Sequence, residues 1–141
     1  WGSKYLTSKF FENILENRKN LLLFSASRNN SDSTIAMSMC IKNDKHIWGR
    51  YWGSKEEILN LHFELCYYQP IDWAIKNNIE SFDPGAGGKH KRRRGFFAKS
   101  STSFHKWFNK NMEDIITPWL NQVNSQTMKE IELENNSIPF K

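Results

Sequence analysis

Between Ser81 and Phe97 the chain reads SFDPGAGGKHKRRRGFF. Gly85, Gly87 and Gly88 open backbone angles closed to other residues and let amide N–H groups face an anion. Lys89, Lys91, Arg92, Arg93 and Arg94 follow at once. Arg offers paired donors that match phosphate or carboxylate, and Lys offers a point charge. Three chemistries fit this stretch: an anion cradle beside an active site, a nucleic-acid patch, or a solvated basic turn. The G-x-x-x-x-G-K-[ST] spacing of a nucleotide loop is absent, and no helix is expected after the glycines to complete a dinucleotide fingerprint. The stretch follows an expected strand end, where open α/β sheets bind their ligands.

A second constellation lies in LHFELCYY (Leu61 to Tyr68). Read as extended chain, it points His62, Glu64 and Cys66 one way and Leu61, Phe63 and Leu65 the other. A His62–Glu64 pair fits a general base with its orienting partner, or equally a structural hydrogen-bonded pair. Cys66 near His62 has the elements of an activated nucleophile, but a cysteine within an apolar stretch is more often inert. A third group, WGRYWG (Trp48 to Gly53), sets Arg50 among rings that either stack a planar ligand or form core. Arg50 is its functional candidate. His46, His62, His90 and His105 are scattered without metal-ligand spacing, so no metal is expected.

Lys and Arg number 20 against 15 Asp and Glu, a net charge of +5. The five cations between Lys89 and Arg94 equal that whole excess, so the charge has an address. Cys40 and Cys66 make no disulfide framework and fit a reducing, cytoplasmic compartment. No apolar run approaches the roughly 18 residues of a membrane span. The chain starts at Trp1 without an initiator Met, as a piece of a longer protein would.

The elements that must position these groups follow from periodicity. Leu6, Phe10, Phe11, Ile14 and Leu15 predict a helix over Ser3 to Arg18, with Ser3 as its cap. LLLFSASR, TIAMSMCIK and HIWGRYWG predict three strands, joined by turns at Asn29 to Ser33 and at Asn43-Asp44. Trp48, Arg50 and Trp52 should then share one sheet face. Ile71, Trp73, Ala74 and Ile75 predict a helix that starts or kinks at Pro70. IESF is a short strand ending at the glycines, and FFAKSSTSF a further strand. From His105 onward, Trp107, Phe108, Met112, Ile115 and Ile116 predict a helix, with a break or fresh start at Thr117-Pro118. Short turns early and alternation later predict an α/β domain with a mixed, largely antiparallel sheet flanked by helices.

GRYWG, LHFELCYYQPIDWAI and FDPGAGGKHKRRRGF, in this order and spacing, resemble the FemAB-like family of bacterial proteins, linked to peptidoglycan biosynthesis or recognition, within the wider GNAT acyltransferase superfamily. The resemblance implies a GNAT-like fold and makes residues 1–141 a single domain, the C-terminal half of a tandem whose N-terminal GNAT-like domain is its partner. It implies acyl or aminoacyl transfer onto an amine, with the donor an aminoacyl-tRNA or an acyl-CoA and no permanently bound cofactor. YYQPID lacks the glycines of the superfamily's acetyl-CoA loop, which weighs against CoA. The acceptor would be an anionic small molecule or cell-wall precursor. Asp83, Gly85, Gly88, Lys91, Gly95 and Phe96 match the family's substrate-groove segment, with Lys91 as the anion or carbonyl contact. Together with the residue-level reading, this makes Lys91, Glu64 and His62 the catalytic candidates. Arg50, Asp83, Gly85, Gly87, Gly88, Lys89, Arg94 and Phe96 are the substrate-binding candidates. Arg92 and Arg93 are left as solvated or RNA-facing surplus. The alternative is a binding module that holds RNA phosphates or an anionic precursor without chemistry.

Overall fold

A computed structural model describes residues 6–16, 18–28 and 33–138. The chain forms two compact units, Trp1–Ala86 and Gly87–Lys141. Ser3, and the turn expected at Asn29 to Ser33 apart from Ser33 itself, lie outside the described residues.

The first unit holds a four-stranded sheet in the order β1-β2-β3-β4, with β1 Leu21–Ser27, β2 Thr34–Lys42, β3 His46–Ser54 and β4 Ser81–Asp83. The first three strands pair antiparallel and β4 runs parallel to β3, which is the mixed α/β sheet expected. Asn43 makes the β2–β3 turn: its side-chain oxygen accepts from the backbone N–H of Lys45 and of His46 at 2.9 and 2.7 Å. A parallel neighbour needs a crossover. Here it is a run of α2 Leu61–Phe63, a π-turn Glu64–Tyr68 and α3 Gln69–Lys76.

This crossover overturns the extended reading of Leu61 to Tyr68. The alternation of apolar and polar side chains there mimics a strand, but the segment is helical and a wide turn precedes Pro70. Proline crowds the carbonyl four residues back and has no N–H to donate. The last π-type bond runs from the N–H of Gln69 to the carbonyl of Glu64. The next would need a donor on Pro70 for the Leu65 carbonyl. The buried Ser38 hydroxyl on β2 donates to that carbonyl instead, at 2.5 Å.

The core lies between this helical crossover and one face of the sheet. Cys40, Ile47 and Ala74 form its centre, with Leu22, Phe24, Trp73, Ile79 and Phe82 packed around them. On the opposite face α1, Ser8–Glu16, sets the Phe10 ring edge-on to Tyr51.

Register corrects one further expectation. Met39 pairs with Tyr51 and Cys40 with Gly49, so Arg50 is an extra residue in β3. Such a bulge reverses which face the following side chains take. Ile47 and Gly49 face the crossover before it and Trp52 after it, while Tyr51 faces α1. Trp48, Arg50 and Trp52 therefore do not form one stripe.

The second unit opens on a 3-10 turn, Lys89–Arg94, bounded by Gly88 and Gly95, both at positive φ. Residues 96–109 take no regular structure, and α4 runs over Lys110–Asn136. FFAKSSTSF is thus not a strand. Within this unit the backbone of Ala98 bonds the Asn135 side chain, which accepts from its N–H at 2.7 Å and donates to its carbonyl at 2.9 Å. The helix begins later than its aromatic periodicity suggests, because the Asn109 side chain caps the N–H groups of Asn111 and Met112. It also passes through Thr117-Pro118 without a break. Proline's φ suits a helix, and the one carbonyl deprived of its donor, that of Asp114, belongs to an exposed residue.

Candidate functional site

Two neighbouring parallel strands stay paired for three residues and then separate. His46, Ile47 and Trp48 of β3 pair with Ser81, Phe82 and Asp83 of β4. Beyond them β3 bulges at Arg50 and the β4 exit turns at Pro84. A Cβ on Gly49 would sit 3.5 Å from the Pro84 backbone, so the two chains still touch where they begin to part. Asp83 shapes the turn, its carboxylate accepting the Gly85 N–H at 2.8 Å. That bond occupies the Gly85 amide, which is not an anion donor. The positive φ of Gly85 serves this turn.

The separation leaves a cavity of about 220 Å³. Its walls are β2 at Ser38 and Cys40, the bulged strand from Gly49 to Trp52, the helical crossover at His62, Cys66 and Tyr67, and the exit strand from Pro84 to Ala86. An open groove along residues 52–60 adjoins it, and Trp52 and His62 line both.

Rings pack against His62. Trp52 and Tyr67 stand edge-on to it, with centroids at 5.4 and 5.6 Å. Glu64 is not its partner. Two residues along a helix point to nearly opposite sides, and Glu64 is exposed, accepting a hydrogen bond from the Gln69 side-chain amide at 2.7 Å. The predicted His62–Glu64 pair is dissolved by the same helical crossover that dissolves the strand.

Cys66 does share the cavity with His62, as does Cys40. Burial pushes the Cys40 thiol up to about 11 and the Cys66 thiol up to about 12, Cys66 rising further because Cys40 is near. Both stay protonated at neutral pH, which removes the nucleophile reading. Ser38 is also spoken for by the Leu65 carbonyl. The other polar side chains on the wall are the His62 imidazole, the Tyr51 and Tyr67 phenols and the Arg50 guanidinium. Arg50 is exposed, and among the described residues it makes no ion pair. Tyr67, buried among apolar neighbours, was not singled out by sequence. Its only signal was a hydroxyl in a run where a phenylalanine would pack as well.

The remaining candidates lie in the second unit, from Gly87 onward. Gly88 is pressed by the His90 ring, where a Cβ would come within 2.7 Å of it. Burial, then the charges of Arg94 and Lys91, lower the His90 pKa. Arg94 donates to the His90 carbonyl at 2.9 Å. Arg92 donates to the Ser137 hydroxyl at 2.8 Å and lies 3.9 Å from the Glu134 carboxylate, so it ties the turn to the end of α4 rather than standing free. Lys89 and Arg93 make no ion pair among the described residues. Lys91 starts the turn's internal bonds, its N–H on the Gly88 carbonyl at 3.0 Å and its carbonyl receiving Phe96 at 3.3 Å. Among the described residues no cluster of His, Cys, Asp or Glu is fit for a metal, and no helix is long and apolar enough to cross a membrane.

No curated protein and no solved structure matches the chain. A family model does, over residues 1–141, and its description is FemAB-like, peptidoglycan biosynthesis/recognition. The three motifs that carried the resemblance sit on the bulged strand, the helical crossover and the glycine-rich exit that surround the cavity or follow from it. The chain belongs to the FemAB-like family.

Proposed function

We propose that this protein transfers an acyl or aminoacyl group onto an amine of a peptidoglycan precursor, and that the cavity between the diverging ends of β3 and β4 holds the reacting groups. The observation that carries this reading is a single imidazole, His62, on the wall of a small cavity whose other ionisable wall groups are two protonated thiols, two phenols and Arg50. The amine nitrogen attacks the acyl carbonyl carbon, and the ester or thioester bond to the donor breaks. His62 accepts the proton that the amine loses and returns it to the leaving oxygen or sulfur, so the imidazole ends as it began. Negative charge grows on the carbonyl oxygen, where the Tyr67 phenol and the Arg50 guanidinium are the candidate donors. Aminoacyl-tRNA and acyl-CoA are the candidate donors. Incubation with charged tRNA or acyl-CoA and a soluble muropeptide tests it. His62→Ala should lower transfer by two to four orders of magnitude, the usual range for losing a general base, about 10²–10⁴. Transfer unchanged in that variant refutes the role given to His62.

A second reading rests on Lys89 and Arg93, which have no acidic partner among the described residues. The basic turn would then hold RNA phosphates or an anionic precursor without chemistry. Binding whose salt slope flattens in Lys89→Ala and Arg93→Ala, with no transfer from any donor, would favour it over catalysis.

A further inference from the structure

The stretch from Lys89 to Lys110 contains eight Lys and Arg and no Asp or Glu. The same stretch presents rings to solvent. Phe104 is 94% exposed and Phe108 92%, and Phe97 is exposed too. Residues 96–109 form neither helix nor strand, so these rings are not there to pack a regular element. Lys106 carries its ammonium 5.3 Å over the Phe108 ring, and His105 stacks flat on Trp107 at 5.9 Å. The segment runs directly into α4, whose first turns leave Met112, Ile115 and Trp119 exposed at helical spacing, a single apolar stripe.

We propose that residues 96–119 are a peripheral docking surface for an anionic lipid bilayer, with Phe104 and Phe108 entering the interface and the surrounding cations meeting the headgroups. The chemistry on the page separates a bilayer from RNA. Bases stack on rings, but Met112 and Ile115 offer bases nothing, and their exposed stripe continues the ring patch onto α4. Phenylalanine has no polar handle and gains most from leaving water altogether. Lys99 and Lys106 lie among the exposed rings in sequence and complement anionic headgroups, while Lys110 is held by Glu113 and Asp114 at 3.3 and 2.8 Å. Nothing here spans the membrane: the surface is too short and too charged for that. This surface is independent of the cavity and stands or falls apart from the transferase reading.

Co-sedimentation of the full chain with vesicles of pure phosphatidylcholine, and of phosphatidylcholine with phosphatidylglycerol, tests it. Binding is expected to the anionic vesicles, falling as salt rises, and about tenfold weaker in Phe104→Ser/Phe108→Ser. Both side chains are exposed, so the variant should keep its circular dichroism and melting temperature. Lys99→Gln/Lys106→Gln should weaken binding further and flatten its salt dependence. Three outcomes overturn the proposal. One is no binding to anionic vesicles at low salt. Another is binding indifferent to the two phenylalanines, which would be charge alone. The third is a Phe104- and Phe108-dependent association with single-stranded RNA, or with a second copy of the chain in sedimentation velocity, without any vesicle binding.

Discussion

His62 and Cys66 line one cavity, and the proton chemistry proposed there falls to the imidazole. The two thiols are held protonated by burial, Cys40 near 11 and Cys66 near 12. Alkylation of the folded protein at neutral pH should therefore be at least tenfold slower than in denaturant, read by mass spectrometry. Rapid labelling of Cys66 would return it to the list of nucleophiles. The same shifts set a pH dependence. The unfolded thiols titrate near about 8.5, so above that the unfolded state holds fewer protons than the folded one. The thiol contribution to stability is complete below about pH 8.5 and is lost as pH rises through 11 to 12. Urea midpoints should fall over that interval, and fall less steeply in a Cys40→Ala/Cys66→Ala protein. At the basic turn two glycines differ in a testable way. Gly87 and Gly88 both have positive φ, but only a Cβ at Gly88 strikes a neighbour, the His90 ring. Gly87→Ala should cost about 1 kcal/mol from the backbone alone. Gly88→Ala should cost more, and His90→Ala should relieve the excess in a double-mutant cycle.

The helical crossover is the element on which the site depends, and the one its sequence concealed. Leu61, Phe63 and Leu65 alternate with polar neighbours as a half-buried strand would, and no local signal opposes that until Pro70. What decides for helix is tertiary: Leu65, Tyr67, Pro70 and Ala74 are the buried positions, and Ser38 from another strand satisfies the carbonyl that Pro70 leaves without a donor. The strands were easier, because their apolar patterns and the Asn43 turn are local. The Arg50 bulge was not legible, since one extra residue changes pairing without changing composition. In the second unit the apolar positions of FFAKSSTSF suggested a strand that finds no strand partner among the described residues. Ser38→Ala should destabilise the first unit by about 1–3 kcal/mol, the cost of a buried carbonyl without a donor. In a Pro70→Ala background, where residue 70 regains an N–H, the penalty should shrink, as thermal or urea denaturation would show. A penalty equal in both backgrounds would mean that Ser38 does not substitute for the missing donor.

At the scale of the whole molecule, family membership covers the full chain, while the chemistry-bearing residues fall into two sets. His62, Tyr67 and Arg50 line the cavity of the first unit, and Lys89 and Arg93, without an ion pair among the described residues, belong to the second. The basic stretch was legible from composition and the family from its three motifs. The cavity was not legible, because it arises where β3 and β4 part, which only topology reveals. The proposed transfer onto an amine of a peptidoglycan precursor is tested most directly by mass spectrometry of a muropeptide acceptor incubated with the protein and a charged tRNA or acyl-CoA. An acyl or aminoacyl mass should be added at the acceptor amine by the native protein, and at least a hundredfold less by His62→Ala, in line with about 10²–10⁴ for a lost general base. No added mass from either donor, or equal transfer by the two proteins, would contradict it.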